Sequence, residues 1–182
     1  MALAVLALFS VWITWRAKTI ELGTNALNAA SPLVGKPAPD FVVDTLDGRK
    51  LALADYRGKT LVVTFWASWC GPCRMELPVL ARFYRRTHQP DSDFEILAIS
   101  TDDSRDAAAN EAKALNLPFP VAVDVGNRIA SAYNIESIPM LFVTGKSGTL
   151  IYSHVGFEMT LDIMLAQQLG IQNYTQAVGV EK

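Results

Sequence analysis

The chain is poor in cysteine and in net charge, and each shortage excludes a class of protein. Its 182 residues contain two cysteines, both in the motif Cys70-Gly71-Pro72-Cys73. A disulfide between them closes a loop of a few residues and adds little chain-entropy stabilisation, which excludes a disulfide-stapled scaffold. The formal net charge of −2 gives no basic field for nucleic acid. We find no internal repeat and no low-complexity tract.

Histidine is equally scarce, and this bears on metal binding. A structural zinc site takes about four ligands, and beyond the two cysteines only His88 and His154 are good candidates. Nothing in the sequence places either histidine beside the cysteines. We therefore expect no metal and no other cofactor. Hydrophobic residues make up 51% of the chain, so the chain can form a full hydrophobic core without stabilising disulfide bonds.

A long run without charge opens the sequence. Residues 1–15 contain no charged side chain, and Arg16 and Lys18 come directly after it. As a helix, this run would be about 22 Å long, shorter than the ~30 Å hydrocarbon core. An all-round apolar helix at this place still favours a membrane anchor. The two basic residues argue against export of the rest of the chain, but we predict an extracytoplasmic domain held at the membrane.

A cleaved signal peptide is the alternative, and it would leave a soluble secreted or periplasmic form. The basic start and the clear cleavage site of such a peptide are missing. We therefore divide the chain into a membrane anchor or signal-like segment (1–18), a linker (19–36), a folded domain (37–172) and a C-terminal tail (173–182).

Apolar runs and turn residues predict an α/β fold for the folded domain. A hairpin comes first, with Asp47-Gly48 in its turn. Strands then alternate with helices before a second hairpin and a closing helix, which predicts a mixed sheet covered by helices on both faces. The predicted strands are 40–43, 50–53, 61–66, 94–100, 121–124, 140–144 and 149–154. The predicted helices are 71–86, 104–115, 127–133 and 160–169.

The cysteine pair lies where a buried strand meets a helix. An apolar run, 60–66, precedes it, and the helix-compatible run 74–86 comes after it. Cys70 would lie at the helix N-terminus, where free backbone N–H groups and the macrodipole favour a thiolate. Cys73, one turn on, is close enough to close a disulfide. This layout is typical of a redox-active dithiol.

These residues resemble a known family. The segment Phe65-Trp66-Ala67-Ser68-Trp69-Cys70-Gly71-Pro72-Cys73 resembles the active-site segment of thioredoxin-fold proteins. Three features resemble the TlpA/ResA-like branch of membrane-anchored thiol–disulfide oxidoreductases, related to the AhpC/TSA redoxins. They are Gly-Lys-Pro-Ala-Pro-Asp-Phe at 35–41 with its hairpin, Glu76-Leu77-Pro78, and an extra strand–helix unit at 94–117. The resemblance implies a thioredoxin-like mixed sheet flanked by helices, with an N-terminal β-hairpin and an inserted βα unit.

The resemblance also implies roles for individual residues. Cys70 would be the exposed nucleophile that attacks a partner disulfide, and Cys73 the thiol that resolves the mixed disulfide. Pro139 would be a cis-proline facing the dithiol, where residues alone would favour an ordinary trans proline. The backbone of Ile138 would pair with an extended partner segment. The rim around the dithiol would comprise Trp69, Gly71 and Pro72.

Glu76 has two interpretations. It could be a solvent-facing charge that complements the helix dipole. It could instead be a partly buried base that takes a proton from Cys73 during resolution. Thioredoxin has a buried aspartate on the strand before its motif, and the matching residue here is Thr64, which cannot act as a base. We therefore favour the base role for Glu76. Arg74 is interpreted as a surface arginine.

The predicted function is reduction of disulfides in extracytoplasmic partner proteins, with an upstream thiol electron donor. Relatives of this type often serve cytochrome c maturation. One alternative is a thiol peroxidase, but peroxiredoxins place a threonine three residues and a proline seven residues before their cysteine, where this chain has Ala67 and Val63. The other is a non-enzymatic, redox-dependent binding protein that uses the groove at Pro139.

Overall fold

A small hairpin and a five-stranded mixed sheet contain all the strands of the structure's described residues. The computed structural model describes residues 31–172 and 174, so the predictions for residues 1–18, for 19–30 and for most of the tail lie outside the described residues. The hairpin pairs β1 Val42–Asp44 with β2 Lys50–Ala52. The strands of the sheet are β3 Thr60–Trp66, β4 Phe94–Ser100, β5 Val121–Val123, β6 Met140–Thr144 and β7 Leu150–Val155. Their spatial order is β5-β4-β3-β6-β7.

The central strand β3 forms because an uninterrupted apolar run can be buried on both faces of a sheet. It pairs in parallel with β4 over its whole length and antiparallel with β6. Parallel neighbours need a crossover connection, and the helix α1, Gly71–Thr87, provides it. Because β3 and β4 run in the same direction, their carboxyl ends meet at one edge of the sheet, where α1 begins.

Helices cover both faces of the sheet, as predicted. On one face α1, α2 (Arg105–Ala114) and α4 (Leu161–Gln168) share a core with the alternate residues Val62 and Trp66 of β3. On the other face α3 (Arg128–Ala132), the hairpin and a 3₁₀ turn, Leu53–Tyr56, pack against the intervening residues, such as Phe65. This places the start of α1 at the edge of the sheet where β3 ends, on one of its two faces.

Residues 31–36 extend this domain at its start. Gly35 N–H donates to the Leu150 carbonyl at 2.8 Å, and Leu150 N–H donates to the Lys36 carbonyl at 2.9 Å. Ser31 N–H donates to Ser153 Oγ at 2.8 Å. Residues 31–36 are thereby attached to β7. Among the described residues, no helix has both the length and the apolar character to cross a bilayer.

Candidate functional site

The two cysteines form a disulfide at the start of α1. Cys70 is the N-cap residue, and its Sγ accepts a hydrogen bond from Cys73 N–H at 3.2 Å. Pro72 lies in the first turn, where a missing N–H removes no helical hydrogen bond. The Cα atoms of the two cysteines are 5.3 Å apart. Cys70 therefore lies at the helix start, as the sequence predicted, and its Sγ meets one backbone N–H of the first turn.

The two sulfurs differ in access. Cys70 is 5% exposed and Cys73 is 0% exposed, while the neighbouring Trp69 is 73% exposed. The expectation of an exposed Cys70 overstated its access in this oxidised state, because both cysteines belong to the core packed under α1. Cys70 is still the more accessible of the two cysteines, since Cys73 lies wholly inside.

A proline loop faces the dithiol. The Ile138–Pro139 peptide bond is cis, the form expected from the family resemblance. The Ile138 carbonyl oxygen lies 3.7 Å from Cys70 Sγ. The Pro139 carbonyl accepts a hydrogen bond from Gly156 N–H at 2.8 Å, which ties the loop to the end of β7. A partner backbone that pairs at Ile138 would therefore lie beside Cys70.

Glu76 is enclosed, with 1% of its surface exposed. Thr64 Oγ1 donates a hydrogen bond to Glu76 Oε1 at 2.8 Å, and Oε2 has no hydrogen-bond partner among the described residues. Burial raises the pKa of Glu76 to about 7, and the hydrogen bond from Thr64 opposes the rise. A solvent-facing helix-start charge is therefore excluded. Burial is also deeper than the partial burial we expected, because Thr64 binds the carboxyl group from β3.

Sequence reasoning missed a second carboxylate, behind the loop that joins β3 to α1. Asp102 is buried and accepts hydrogen bonds from Ser68 N–H at 2.8 Å and Ser68 Oγ at 2.7 Å. Ser100 Oγ donates to the same carboxylate at 2.7 Å. The available signal was the polar run that ends the buried strand β4, next to the end of β3. Asp102 thereby holds the residues that precede Trp69 and Cys70.

The charged residue that directly follows the dithiol is paired. Arg74, one residue after Cys73, has its Nε 2.8 Å from Glu111 Oε1 on α2. Arg74 is largely exposed, as we interpreted it, while Glu111 is mostly buried. The inserted βα unit therefore contributes the counter-ion of the arginine next to the dithiol.

The histidines lie elsewhere in the fold. His88 comes after the last residue of α1, at the opposite end from Cys70, and its ring stacks on Tyr84 with centroids 4.1 Å apart. His154 lies on β7, opposite Leu141. In the part of the chain that the structure describes, no group of three or more His, Cys, Asp or Glu side chains could hold a metal ion.

Comparisons with known proteins agree with this fold and identify the family. The AhpC/TSA family model matches residues 34–153. The thiol-disulfide oxidoreductase ResA of Bacillus cereus is 36% identical over 123 residues, which cover 68% of this chain and 70% of that protein. ResA of Bacillus subtilis is 32% identical over 117 residues, 64% of each chain. The crystal structure of a thiol:disulfide interchange protein of the thioredoxin family from Chlorobium tepidum matches with a TM-score of 0.65 at 28% identity, covering 74% of this chain and 96% of that one.

Proposed function

This chain belongs to the AhpC/TSA family and is a thiol–disulfide oxidoreductase of the thioredoxin fold, and from that premise we propose that it reduces disulfides in extracytoplasmic partner proteins through Cys70 and Cys73. The observation that carries the proposal is the placement of Cys70 Sγ at the start of α1, 3.7 Å from the Ile138 carbonyl. The attacking sulfur and a backbone edge for the partner thus lie side by side.

The reaction runs in two exchanges. In the reduced protein the Cys70 thiolate attacks one sulfur of a partner disulfide, forming a mixed disulfide and releasing the first partner thiolate. The Cys73 thiolate then attacks Cys70 Sγ and releases the second partner thiolate. The protein ends as the Cys70–Cys73 disulfide seen here, and an upstream thiol donor returns two electrons to it.

Glu76 serves as the proton acceptor for the second exchange. Cys73 must lose its proton in a buried setting that opposes a thiolate. Glu76 is three residues further along α1, so it lies on nearly the same helical face. A pKa of about 7 lets this carboxyl group take a proton near neutral pH and release it again.

The direction of electron flow is reductive. Gly71 and Pro72 separate the cysteines, as in thioredoxin, whose potential is about −270 mV, against about −120 mV for the oxidant DsbA. The apolar run at residues 1–15 supports placement at a membrane, and the resemblance to the TlpA/ResA-like branch supports a domain outside the cytoplasm. Apocytochrome Cys-x-x-Cys-His disulfides are the proposed substrates, by analogy with the family.

Paired cysteine variants test the dithiol roles. With dithiothreitol as donor, the wild type should reduce insulin disulfides, and Cys70→Ser should abolish this activity. Cys73→Ser should instead accumulate a mixed disulfide through Cys70. Limiting iodoacetamide at neutral pH should label Cys70 first in the reduced protein. Preferential labelling of Cys73, or full activity of Cys70→Ser, would overturn the assignment.

A peptide pair tests the substrate class. One peptide carries an oxidised Cys-x-x-Cys-His segment and the other carries the same segment with the histidine replaced by alanine. We expect faster reduction of the histidine peptide by the wild type. Equal rates for the two peptides would remove the support for apocytochrome substrates and leave the general reductase in place. Hydrogen peroxide should be consumed far more slowly than either peptide, because the peroxiredoxin threonine and proline positions hold Ala67 and Val63.

A further inference from the structure

A cleft of about 580 Å³ opens beside the dithiol. The Trp69 side chain and Ile138 both line it, so it adjoins the sulfur and the backbone edge that the proposed reaction uses. Its charged lining residues are Asp103 and Glu136, and no lysine or arginine of the described chain lines it. Asp103 lies after β4 and Glu136 lies after α3, so two different connections place their carboxylates in one cleft.

The lining has the chemistry that binds a side-chain cation. Trp69 is exposed over most of its surface, and an open indole face attracts a guanidinium or ammonium group. Asp103 and Glu136 are also exposed. Neither carboxylate has an ion-pair partner among residues 31–172. Thr101 and Asn127 add hydrogen-bond acceptors to the same lining.

A second cleft shows that this charge asymmetry is local. It has a volume of about 610 Å³ and lies away from the dithiol, between the hairpin and α2. It is lined by Arg49 and Lys113 together with Asp47 and Glu95. Arg49 forms an ion pair with Asp47, with 2.8 Å between Nη2 and Oδ2. Both signs of charge are present there. The purely anionic lining therefore belongs to the cleft at the dithiol.

We infer that this cleft selects partner segments that carry an arginine or lysine within two or three residues of the target cysteine. The inference rests on the proposed function, because the segment must pair at Ile138 while its disulfide meets Cys70. The cationic side chain then enters the cleft, where it stacks on Trp69 and faces Asp103 and Glu136. Arginine should bind better than lysine, because its planar guanidinium group stacks on an aromatic ring and can donate hydrogen bonds to two carboxylates.

Three disulfide peptides test the inference. They share one sequence and carry Arg, Gln or Glu two residues from the target cysteine. For the reduced wild type, kcat/KM should fall in the order Arg, Gln, Glu, with about three- to tenfold between the Arg and Glu peptides. The ratio should shrink when salt is raised, since exposed charges are screened. Equal kcat/KM for the three peptides would overturn the inference.

Variants assign the preference to the cleft. The double variant Asp103→Asn/Glu136→Gln should bring the Arg-to-Glu ratio close to one. Asp91→Asn removes an exposed carboxylate from the connection between α1 and β4 and should keep the wild-type ratio. A double variant that keeps the preference would contradict the inference. If the double variant fails to fold, the salt dependence of the wild-type ratio decides, and a ratio unchanged by salt counts against the cleft.

Failure of this inference can be told apart from failure of the proposed function. Hydroxyethyl disulfide is uncharged and small, so its reduction needs the dithiol and not the cleft. If the wild type reduces hydroxyethyl disulfide but does not discriminate among the peptides, the proposed reductase function stands and the proposed role of the cleft is refuted. A wild type that reduces no disulfide refutes both.

Discussion

The buried carboxyl group of Glu76 has one hydrogen-bond partner among the described residues. Its Oε1 accepts from Thr64, and its Oε2 has no partner there. The charged form of such a group is disfavoured by burial, which is why the pKa rises to about 7. By the family resemblance, Thr64 stands where thioredoxin carries an aspartate on this strand. Here the strand supplies a hydroxyl donor and the helix supplies the acid, so the buried carboxyl group comes from α1 and not from β3.

We predict that Glu76→Gln slows disulfide exchange by about 10- to 100-fold, because the variant keeps the shape of the side chain and loses the base. Rates would be measured by stopped flow from pH 5 to 9. Thr64→Val provides a matched comparison. It removes the hydrogen bond that lowers the pKa of Glu76, so its rate profile should move to higher pH. Wild-type rates for Glu76→Gln across this range would reject the base role.

Stability should depend on pH through the same group. The folded protein holds the Glu76 proton more tightly than the unfolded chain does. In the unfolded chain this carboxyl group has its ordinary pKa of 4.5. The resulting contribution to stability is therefore complete below about pH 4.5 and is lost as pH rises through about 7. We predict that the free energy of unfolding of the oxidised wild type falls relative to Glu76→Gln by on the order of 3 kcal/mol across this window. Urea titrations at pH 4, 6 and 8 would measure it, and a constant difference would contradict the burial of Glu76.

The sequence predicted this residue only in part. The sequence predicted a base role for Glu76 from two features. Glu76 lies one helical turn from Cys73, and position 64 holds a threonine, which cannot act as a base. Its full burial depends on the pairing of Thr64 with Glu76 across α1 and β3, a contact that no local pattern encodes. The peptide geometry at Pro139 was likewise expected from the family resemblance and not from the neighbouring residues.

At the scale of secondary-structure elements, the site lies where β3, β4 and α1 meet. The loop between β3 and α1 is fixed from β4, because Thr101 N–H donates to the Trp66 carbonyl at 2.8 Å and Asp102 binds Ser68. A thiol that must meet a partner disulfide in one geometry benefits from such a fixed loop. Asp102 therefore acts as a positioning residue for Cys70.

We predict that Asp102→Ala lowers the free energy of unfolding by about 2–4 kcal/mol, because three donors lose a buried carboxylate. Disulfide exchange should slow as well, since the loop before Cys70 loses its support. Asp103→Ala is the control for stability, because this neighbour is exposed and should change the free energy of unfolding by less than about 0.5 kcal/mol. Chemical denaturation of both variants would measure the effect, and equal stability would show that the network is dispensable.

Elements with a strong local pattern were predicted closely. The apolar run of β3 and the strand β4 have nearly the predicted bounds, and α1 begins at Gly71 as expected. The short elements were less accurate. The first strand begins at Val42 and not Asp40, and residues 53–56 form a 3₁₀ turn that was not predicted. These elements are held by the core on the α3 face, whose distant contacts a local sequence pattern does not encode.

At the scale of the whole molecule, the dithiol and residues 31–36 lie on different strands of one sheet. The dithiol lies at one edge of the sheet, at the carboxyl ends of β3 and β4. Residues 31–36 lie along the edge strand β7, two strands away from β3. Because β7 runs in the same direction as β3, Ser31 beside Ser153 lies toward the same end of the sheet as the dithiol.

We predict that the full chain sediments with membranes and resists both high salt and carbonate, because residues 1–15 are uncharged and apolar. Fractionation of cells that express the chain from its own start would measure this. A soluble chain with an intact N-terminus would rule out the anchor. A soluble chain shortened at its N-terminus would indicate a cleaved signal peptide.

The reduction potential of the Cys70–Cys73 pair tests the central claim most directly. Equilibration of the full chain in dithiothreitol redox buffers at pH 7, with alkylation to count free thiols, would give the value. A reductant with Gly71 and Pro72 between its two cysteines should have a reduction potential near that of thioredoxin, about −270 mV. A potential near about −120 mV, as for DsbA, would make the protein an oxidant and contradict the account.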